Sequence, residues 1–417
     1  MVPEVSLPVE KQLALIRAHT VDILPEDELL QKLRSGRPLR VKLGVDPTGP
    51  DIHLGHAVVL RKLRLFQDLG HTAVLIVGDF TGMIGDPSGR TEGRPQLTPQ
   101  QVESNVSTYR EQVFKILDPD KTEFHYNSEW CSKLTAEQII RLAATHTVAQ
   151  LLAREDFAAR YRGELPISLH EFLYPIFQGY DSVAVRSDIE LGGTEQKFNL
   201  LVGRELQRLN PLGDPQEPQC IITFPILVGT DGVRRMGKSL GNYIGVMEPP
   251  DQMFGKIMSI PDELMEQYFA LCTNLPAEEI AQLAADMKSG ALNPRDAKRR
   301  LGRELVALYH SPEAATQADE TFLRVFSTAR RQTREDFEAV AEDFAIPDDL
   351  RGRPVWVSTA LSQLGLARSR AEAARLVRGG GVYLDERQVQ DPEEEVTLAP
   401  GQLLRVGKRR VARLVSA

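Results

Sequence analysis

Apolar positions in the first half of the chain alternate between two periods. Residues 40–46 (RVKLGVD) form a short apolar run that stops at Asp-Pro-Thr-Gly-Pro, a stretch of turn residues. From 54 to 69 the period is helical, with Val59, Leu63 and Phe66 on one face and Gly70 as the closing cap. Residues 72–77 (TAVLIV) read as a buried strand ending at Gly78-Asp79. Strand, helix and strand in quick succession make a βαβ unit and predict a parallel sheet. Between 98 and 165 the pattern turns helical, with Thr98 capping ahead of Pro99 and Thr135-x-x-Gln138 as a capping box. Strand patterns return at 183–191 and 219–228, so the predicted fold is α/β, a Rossmann-like parallel sheet with a helical insertion. From 250 to 345 only helices are predicted, one of them basic around 295–303. Pro, Gly and charge at 346–354 mark a linker.

Length and charge sharpen this division. A chain of 417 residues is too long for one ordinary domain. The predicted parts are 1–248, a catalytic α/β domain, 249–350, an all-α domain, and 351–417, a small α+β module. The net charge is −8, yet 351–417 holds twelve Lys and Arg against seven Asp and Glu, so a basic tail follows an acidic body. That asymmetry points to an RNA-facing module. No stretch approaches the ~18 consecutive apolar residues of a membrane helix, and the start is not a signal peptide. A cytoplasmic protein is expected. Cys131, Cys220 and Cys272 are far apart and unpaired in sequence, which predicts neither disulfides nor a zinc site.

Two short motifs carry chemistry. His53-Leu54-Gly55-His56 lies where the first strand's loop becomes a helix. Helix N-termini at the carboxyl ends of strands favour phosphate, and two imidazoles one turn apart could donate hydrogen bonds to a reacting triphosphate. Arg235-Met236-Gly237-Lys238-Ser239 is a loop presenting two cations, suited to a developing pyrophosphate. Either string alone could be an ordinary polar surface.

Together, HLGH and RMGKS resemble the paired HIGH and KMSKS signatures of class I aminoacyl-tRNA synthetases. The resemblance narrows to the tyrosyl-tRNA synthetases at Gly44-Val45-Asp46-Pro47-Thr48, Gly85-Asp86-Pro87-Ser88-Gly89-Arg90, Gly192-Gly193-Thr194-Glu195-Gln196 and Tyr174-x-x-x-Gln178-x-x-Asp181. The tail resembles an S4-type RNA-binding domain. The family implies activation of L-tyrosine by ATP and transfer to the 3′ end of tRNA(Tyr) by a homodimer, with Mg2+ carried by the nucleotide and no protein-bound metal.

Residue by residue, the resemblance gives His53, His56, Thr48, Lys238, Arg235, Arg90 and Arg94 roles at the phosphates. It puts ATP against Asp46, Gly55, Gly192, Glu195, Met236 and Lys238. Tyrosine would meet Lys42, Asp86, Tyr174, Gln178, Asp181 and Gln196, with Asp181 at the phenol hydroxyl. Tyr174, Gln178 and Asp181 are spaced i, i+4 and i+7, one face of a helix. In the tail, Ser369 and Glu372 form a capping box, and Arg370, Arg375, Arg378, Lys408, Arg409 and Arg410 would track RNA phosphates.

The sequence departs from the family pattern at four places. Lys42 stands where some members carry a second hydroxyl partner, and Glu195 where an aspartate bonds the ATP ribose. Arg235 replaces a lysine. Gly237 replaces a serine, which predicts a more flexible loop. A tryptophanyl-tRNA synthetase would share the class signatures, but the polar stripe and the S4-like tail speak against it. A non-catalytic derivative would be expected to lose histidines or loop cations, and this chain keeps both.

Overall fold

The computed structural model describes residues 7–416 apart from 48, 50, 87–97, 327–333, 386 and 408–409. Thr48, Arg90, Arg94, Lys408 and Arg409 therefore lie outside the described residues. The chain divides into two compact units, residues 1–229 with 233–247, and residues 230–232 with 248–417.

The first unit is built on a six-stranded sheet. Its strands are β1 (Asp22–Leu24), β2 (Arg40–Val45), β3 (Thr72–Val77), β4 (Thr122–Tyr126), β5 (Ile189–Gly193) and β6 (Cys220–Phe224), in the order β1-β6-β5-β2-β3-β4. All neighbours are parallel except β1 against β6. The inner strands are near-continuous apolar runs because helices cover both faces. The helix Leu54–Asp68 buries Leu60, Leu63 and Phe66, and Gly70 follows it at φ 89. Val59 is only half-buried. The strand order reverses beside β2, between β3 and β5, which is where ligands bind in open α/β sheets.

Two sequence expectations need correction here. The stretch 98–165 is not wholly helical, because β4 crosses it as the sheet's edge. Its sequence TEFHY is half-buried throughout, so it lacks the apolar run that marks the inner strands. The strand expected at 183–191 starts only at Ile189, since Val183 and Ala184 finish the helix Tyr174–Ala184. Arg186 turns the chain at φ 50, and Asp188, held by both guanidinium nitrogens of Arg37 at 2.8 and 2.6 Å, leads into β5.

The second unit begins with helices, among them Pro250–Ser259, Pro294–Tyr309 and Pro312–Phe326. The basic helix Pro294–Tyr309 has structural ion pairs: Arg299 and Arg303 meet Asp319, and Arg300 meets Glu279. The region 250–345 does not stay helical, since Glu342–Ala345 is β7, a parallel neighbour of β13 (Arg410–Val415). The five-stranded sheet runs β10-β9-β12-β13-β7, with β9 at Val382–Leu384, β10 at Arg387–Gln388 and β12 at Leu403–Val406. A separate pair joins β8 (Pro354–Trp356) to β11 (Glu395–Thr397). The supposed linker is tied down as well: Ile346 is buried and its N–H donates to the Val415 carbonyl at 3.0 Å, while Leu350 joins the same apolar cluster. Pro347 and Gly352 do make turns, but Ile346 before them and Leu350 between them belong to the core.

The helices Tyr174–Ala184 and Lys197–Leu209 cross closely at Gly179. A Cβ there would stand 2.9 Å from Leu206, 3.0 Å from Val202 and 3.1 Å from the Gly203 nitrogen. Gly179→Ala is expected to lower the unfolding free energy by about 1–3 kcal/mol through overpacking, read as an earlier urea midpoint. A variant as stable as the parent would show that the crossing can relax.

Candidate active site

The carboxyl ends of β2 and β3 meet at Asp46 and Gly78. Asp46 Oδ1 accepts from Thr81 Oγ1 at 2.9 Å, and Oδ2 accepts from the Tyr174 hydroxyl at 2.8 Å. A Cβ on residue 78 would fall 2.1 Å from Asp46 Oδ1 and 2.3 Å from Thr81 Oγ1, so only glycine fits. Asn127 Nδ2 extends the chain, donating to Thr81 Oγ1 at 3.0 Å and to Asp181 Oδ2 at 3.3 Å. Trp130 Nε1 completes it by donating to Asp181 Oδ1 at 2.8 Å. Hydrogen bonds thus run without a break from Tyr174 to Asp181.

Tyr174, Gln178 and Asp181 do share one buried helix face, as their spacing implied. Asp181 is 3% exposed. Burial pushes its carboxyl up to about 7, against the lowering effects of Lys42, Trp130 and Asn127. Gln178 Oε1 accepts from Asn199 Nδ2 at 2.9 Å, and Asn199 Oδ1 accepts from Arg154 at 3.0 Å. That fixes the amide's orientation and leaves a second lone pair on Oε1 for a donor such as an ammonium. Tyr174, by donating to Asp46, likewise turns acceptor capacity toward the site.

Asn127, Trp130 and Thr81 are absent from the sequence-based candidates. Asn127 and Trp130 follow the unrecognised strand β4, so no pattern flagged them. Lys42, expected at the phenol, is fully buried and meets Gln178 O, Ser182 Oγ and Glu190 Oε1 at 2.9, 2.8 and 2.9 Å. Two of its donors are hydrogen-bonded beneath the helix, and Glu190 Oε1 faces it as a counter-charge. Gln196 Oε1 accepts from the Gly193 N–H at 3.1 Å and so caps the turn after β5. Glu195 is half-buried, its carboxyl is raised by burial and by Asp86 against the pull of its own backbone N–H and of Arg235, and Oε2 has no hydrogen-bond partner among the described residues. Gly192 lies in β5 just ahead of these residues.

At the other end of the site, the two histidines head the helix Leu54–Asp68. His53 Nδ1 accepts from the Gly55 N–H at 3.2 Å, and His56 Nδ1 accepts from the His53 N–H at 3.3 Å. The rings stack with centroids 3.9 Å apart. Burial, then His56 and Lys238, hold His53 far below the ordinary imidazole value. It is therefore neutral, and with Nδ1 accepting, the ring proton sits on Nε2. With Nδ1 accepting in each ring, both imidazoles present Nε2 away from the helix backbone as the remaining donor position.

The loop carrying Arg235 and Lys238 is pinned at several points. Met236 is buried and its N–H donates to Leu227 O at 2.8 Å, and the Gly237 N–H donates to Asn242 Oδ1 at 2.9 Å. Gly237 is extended at φ −169, a conformation open to any residue, so the backbone there does not require glycine. Lys238 Nζ donates to Gly49 O at 2.7 Å and lies 5.6 Å from the Tyr109 ring centre, with its amine brought down to about 8 by burial. Arg235 is half-buried and pairs through its backbone with Val228.

In the second unit, Arg370, Arg375 and Arg378 are exposed along one helix, Arg370 stacking on Trp356 at 4.4 Å. Ser369 Oγ accepts from the Glu372 N–H at 3.2 Å, but the Glu372 carboxylate turns to the Arg368 N–H, so the capping box closes on one side only. Arg410 donates to Leu366 O at 3.0 Å.

A histidine-headed helix and a cationic loop at the switch point of a parallel sheet define the nucleotide end of a class I aminoacyl-tRNA synthetase. The model of tRNA synthetases class I (W and Y) matches residues 34–327, and that of the S4 domain residues 355–403. The tyrosine–tRNA ligase of Moorella thermoacetica is 52% identical over 410 residues, covering 97% of this chain and 96% of its own. That of Thermotoga maritima is 48% identical over 405 residues, covering 97% of each. The chain belongs to the tyrosine–tRNA ligases, a family of ATP-using class I aminoacyl-tRNA synthetases. The tyrosyl-tRNA synthetase of Archaeoglobus fulgidus, solved with L-tyrosine, shares the fold at TM-score 0.61 and 23% identity, over 75% of this chain and all of that one.

The His53 geometry has a direct readout. In 15N NMR spectra the ring is expected to stay neutral and protonated on Nε2 down to about pH 5, a range in which a solvated imidazole titrates. A His53 signal titrating near 6.5 would contradict the assigned tautomer and burial.

Proposed function

We propose that the site activates L-tyrosine with ATP and then transfers the tyrosyl group to the 3′ end of tRNA(Tyr). The observation that carries this reading is the buried stripe Tyr174, Gln178 and Asp181, in the same unit as the histidine-headed helix and the Lys238 loop. A tyrosine carboxylate oxygen bonds the ATP α-phosphorus while the bond to the bridging oxygen of the leaving pyrophosphate breaks. The carboxylate is already ionised at neutral pH, so the step needs positioning and charge stabilisation rather than a general base.

His53 and His56 donate from Nε2 to phosphate oxygens as charge shifts. Lys238 and Arg235 neutralise the departing pyrophosphate, helped by Arg90 and Arg94, with Thr48 beside the first histidine. Asp46, Gly55, Gly192, Glu195 and Met236 line the nucleotide. Asp86, Tyr174 and Gln178 take the ammonium, and Asp181 accepts from the phenol hydroxyl. Phenylalanine would leave that buried carboxylate without its partner, which is the basis of rejection. Among the described residues no group of three or more His, Cys, Asp or Glu could hold a metal, and Mg2+ enters on ATP.

In the second step a terminal ribose hydroxyl of tRNA attacks the tyrosyl carbonyl and AMP leaves. The three-part division at 248/249 and 350/351 assigns tRNA contact to the tail, where Arg370, Arg375, Arg378 and Arg410, together with Lys408 and Arg409, follow phosphates. A cytoplasmic homodimer joined through the first unit is consistent with exposed Ile140, Val148, Leu169 and Leu201 there. No described helix is long and apolar enough to cross a membrane.

The test is ATP–pyrophosphate exchange with each of the twenty amino acids, followed by tRNA charging. Tyrosine alone should support exchange. The double variant Arg375→Glu/Arg378→Glu should keep exchange while losing tenfold or more in charging, on the order of one to two phosphate contacts. Exchange driven by another amino acid would refute the substrate assignment, and undiminished charging would refute the RNA face.

A further inference from the structure

A lysine with no solvent exposure lies beneath the substrate helix. Lys42, in the middle of β2, meets the Gln178 carbonyl and the Ser182 hydroxyl, the two helix positions that bracket Asp181. Its counter-charge is Glu190 on β5, 2.9 Å away and 1% exposed. Glu190 Oε2 accepts from Ser182 Oγ at 3.0 Å and from Gln219 Nε2. A buried ion pair of this kind can often be replaced by apolar residues with no loss of stability, so stability alone does not account for it. Its location under Asp181 does.

We propose that Lys42, with Glu190 as its counter-charge, is a positioning and specificity-determining group for the tyrosine hydroxyl. It is a buried cation that fixes the substrate helix over β2 and β5 and favours the ionised form of Asp181, which only accepts hydrogen bonds. This rests on the reading of Asp181 as the hydroxyl's partner.

Every titratable group acting on Asp181 has a definite sign. Lys42, from β2, favours its ionised form, and Glu190, from β5, disfavours it. Cys131, from the short helix Ser128–Cys131, has Sγ 3.9 Å from Oδ1, and burial pushes its thiol up, so it stays neutral. Trp130 and Asn127 donate without titrating. A carboxyl raised to about 7 by burial sits where small changes in these charges alter its state at neutral pH. Removing the cation should raise its titration further. Removing the neighbouring carboxylate should lower it, with Asp181 left as the remaining anion facing Lys42.

The experiment measures kcat/KM for tyrosine over phenylalanine in pyrophosphate exchange, from about pH 5.5 to 9. Taking the ratio cancels groups that serve both substrates, Lys238 among them. In the parent the ratio should rise as pH passes through about 7. In Lys42→Met the midpoint should move up by about one pH unit and the ratio near neutrality fall roughly tenfold, while KM for ATP is unchanged. In Glu190→Gln the midpoint should move down.

Opposite displacements are the signature, because a merely structural pair would weaken both variants without moving the midpoint. If Lys42→Met does not fold, Glu190→Gln carries the test alone, and an unmoved midpoint overturns the inference. Asp181→Asn separates the two readings. If it loses discrimination at every pH while neither Lys42→Met nor Glu190→Gln shifts the midpoint, only the role of Lys42 fails. If it keeps discrimination, Asp181 is not the hydroxyl's partner and the site reading fails.

Discussion

Asp181 lies 3% exposed between the indole N–H of Trp130 and the amide of Asn127. A carboxylate so far from water ionises only where donors and a cation replace its hydration. Much of the first unit serves that replacement. Asn127 and Trp130 come from the segment after β4, Lys42 from β2, and the helix Tyr174–Ala184 holds the carboxylate between them. Asn127 also reaches Thr81, and through it Asp46 and Tyr174, so the two ends of the amino-acid pocket are one hydrogen-bonded assembly. The arrangement has a stability cost with a definite sign. With its folded pKa raised to about 7, Asp181 favours the folded state fully only below its unfolded value, and that contribution is lost as pH rises toward 7.

The nucleotide end solves the opposite problem. In the proposed reaction the negative charge arrives with the substrate, and the protein supplies neutral donors and the cations of a pinned loop. His53 is held uncharged by burial and aimed by the Gly55 N–H, so its donor is fixed before charge develops. Lys238, brought down to about 8, remains largely protonated at neutral pH while held against Gly49. On the proposed reading, one unit offers preorganised acceptors to the amino acid and preorganised donors to the triphosphate.

The stripe Tyr174, Gln178 and Asp181 was legible through the family resemblance that singled those residues out, and their i, i+4 and i+7 spacing then put them on one helix face. HLGH at a strand-to-helix junction was legible for a local reason, and its reciprocal Nδ1 bonds add only the tautomer. What could not be read was non-local. β4 is a polar edge strand whose identity comes from pairing with β3, so Asn127 and Trp130 went unnoticed. Lys42 was assigned to the substrate by the family position it occupies; a lysine in a strand gives no sign of which side its Nζ meets, and only β5 brings Glu190 to it. The turn residues near Pro347 read as a linker, yet Ile346 is anchored by a strand some seventy residues later.

The central claim, that Asp181 reads the phenol hydroxyl from a water-free pocket while Lys42 stays behind it, is tested most directly by a structure with L-tyrosine bound. The account predicts the phenol oxygen within about 2.7 Å of an Asp181 carboxylate oxygen, the ammonium against Tyr174 and Gln178, and Lys42 still on Glu190 and Ser182. A phenol bonded to Lys42, or a ring seated with its hydroxyl away from Asp181, would contradict it.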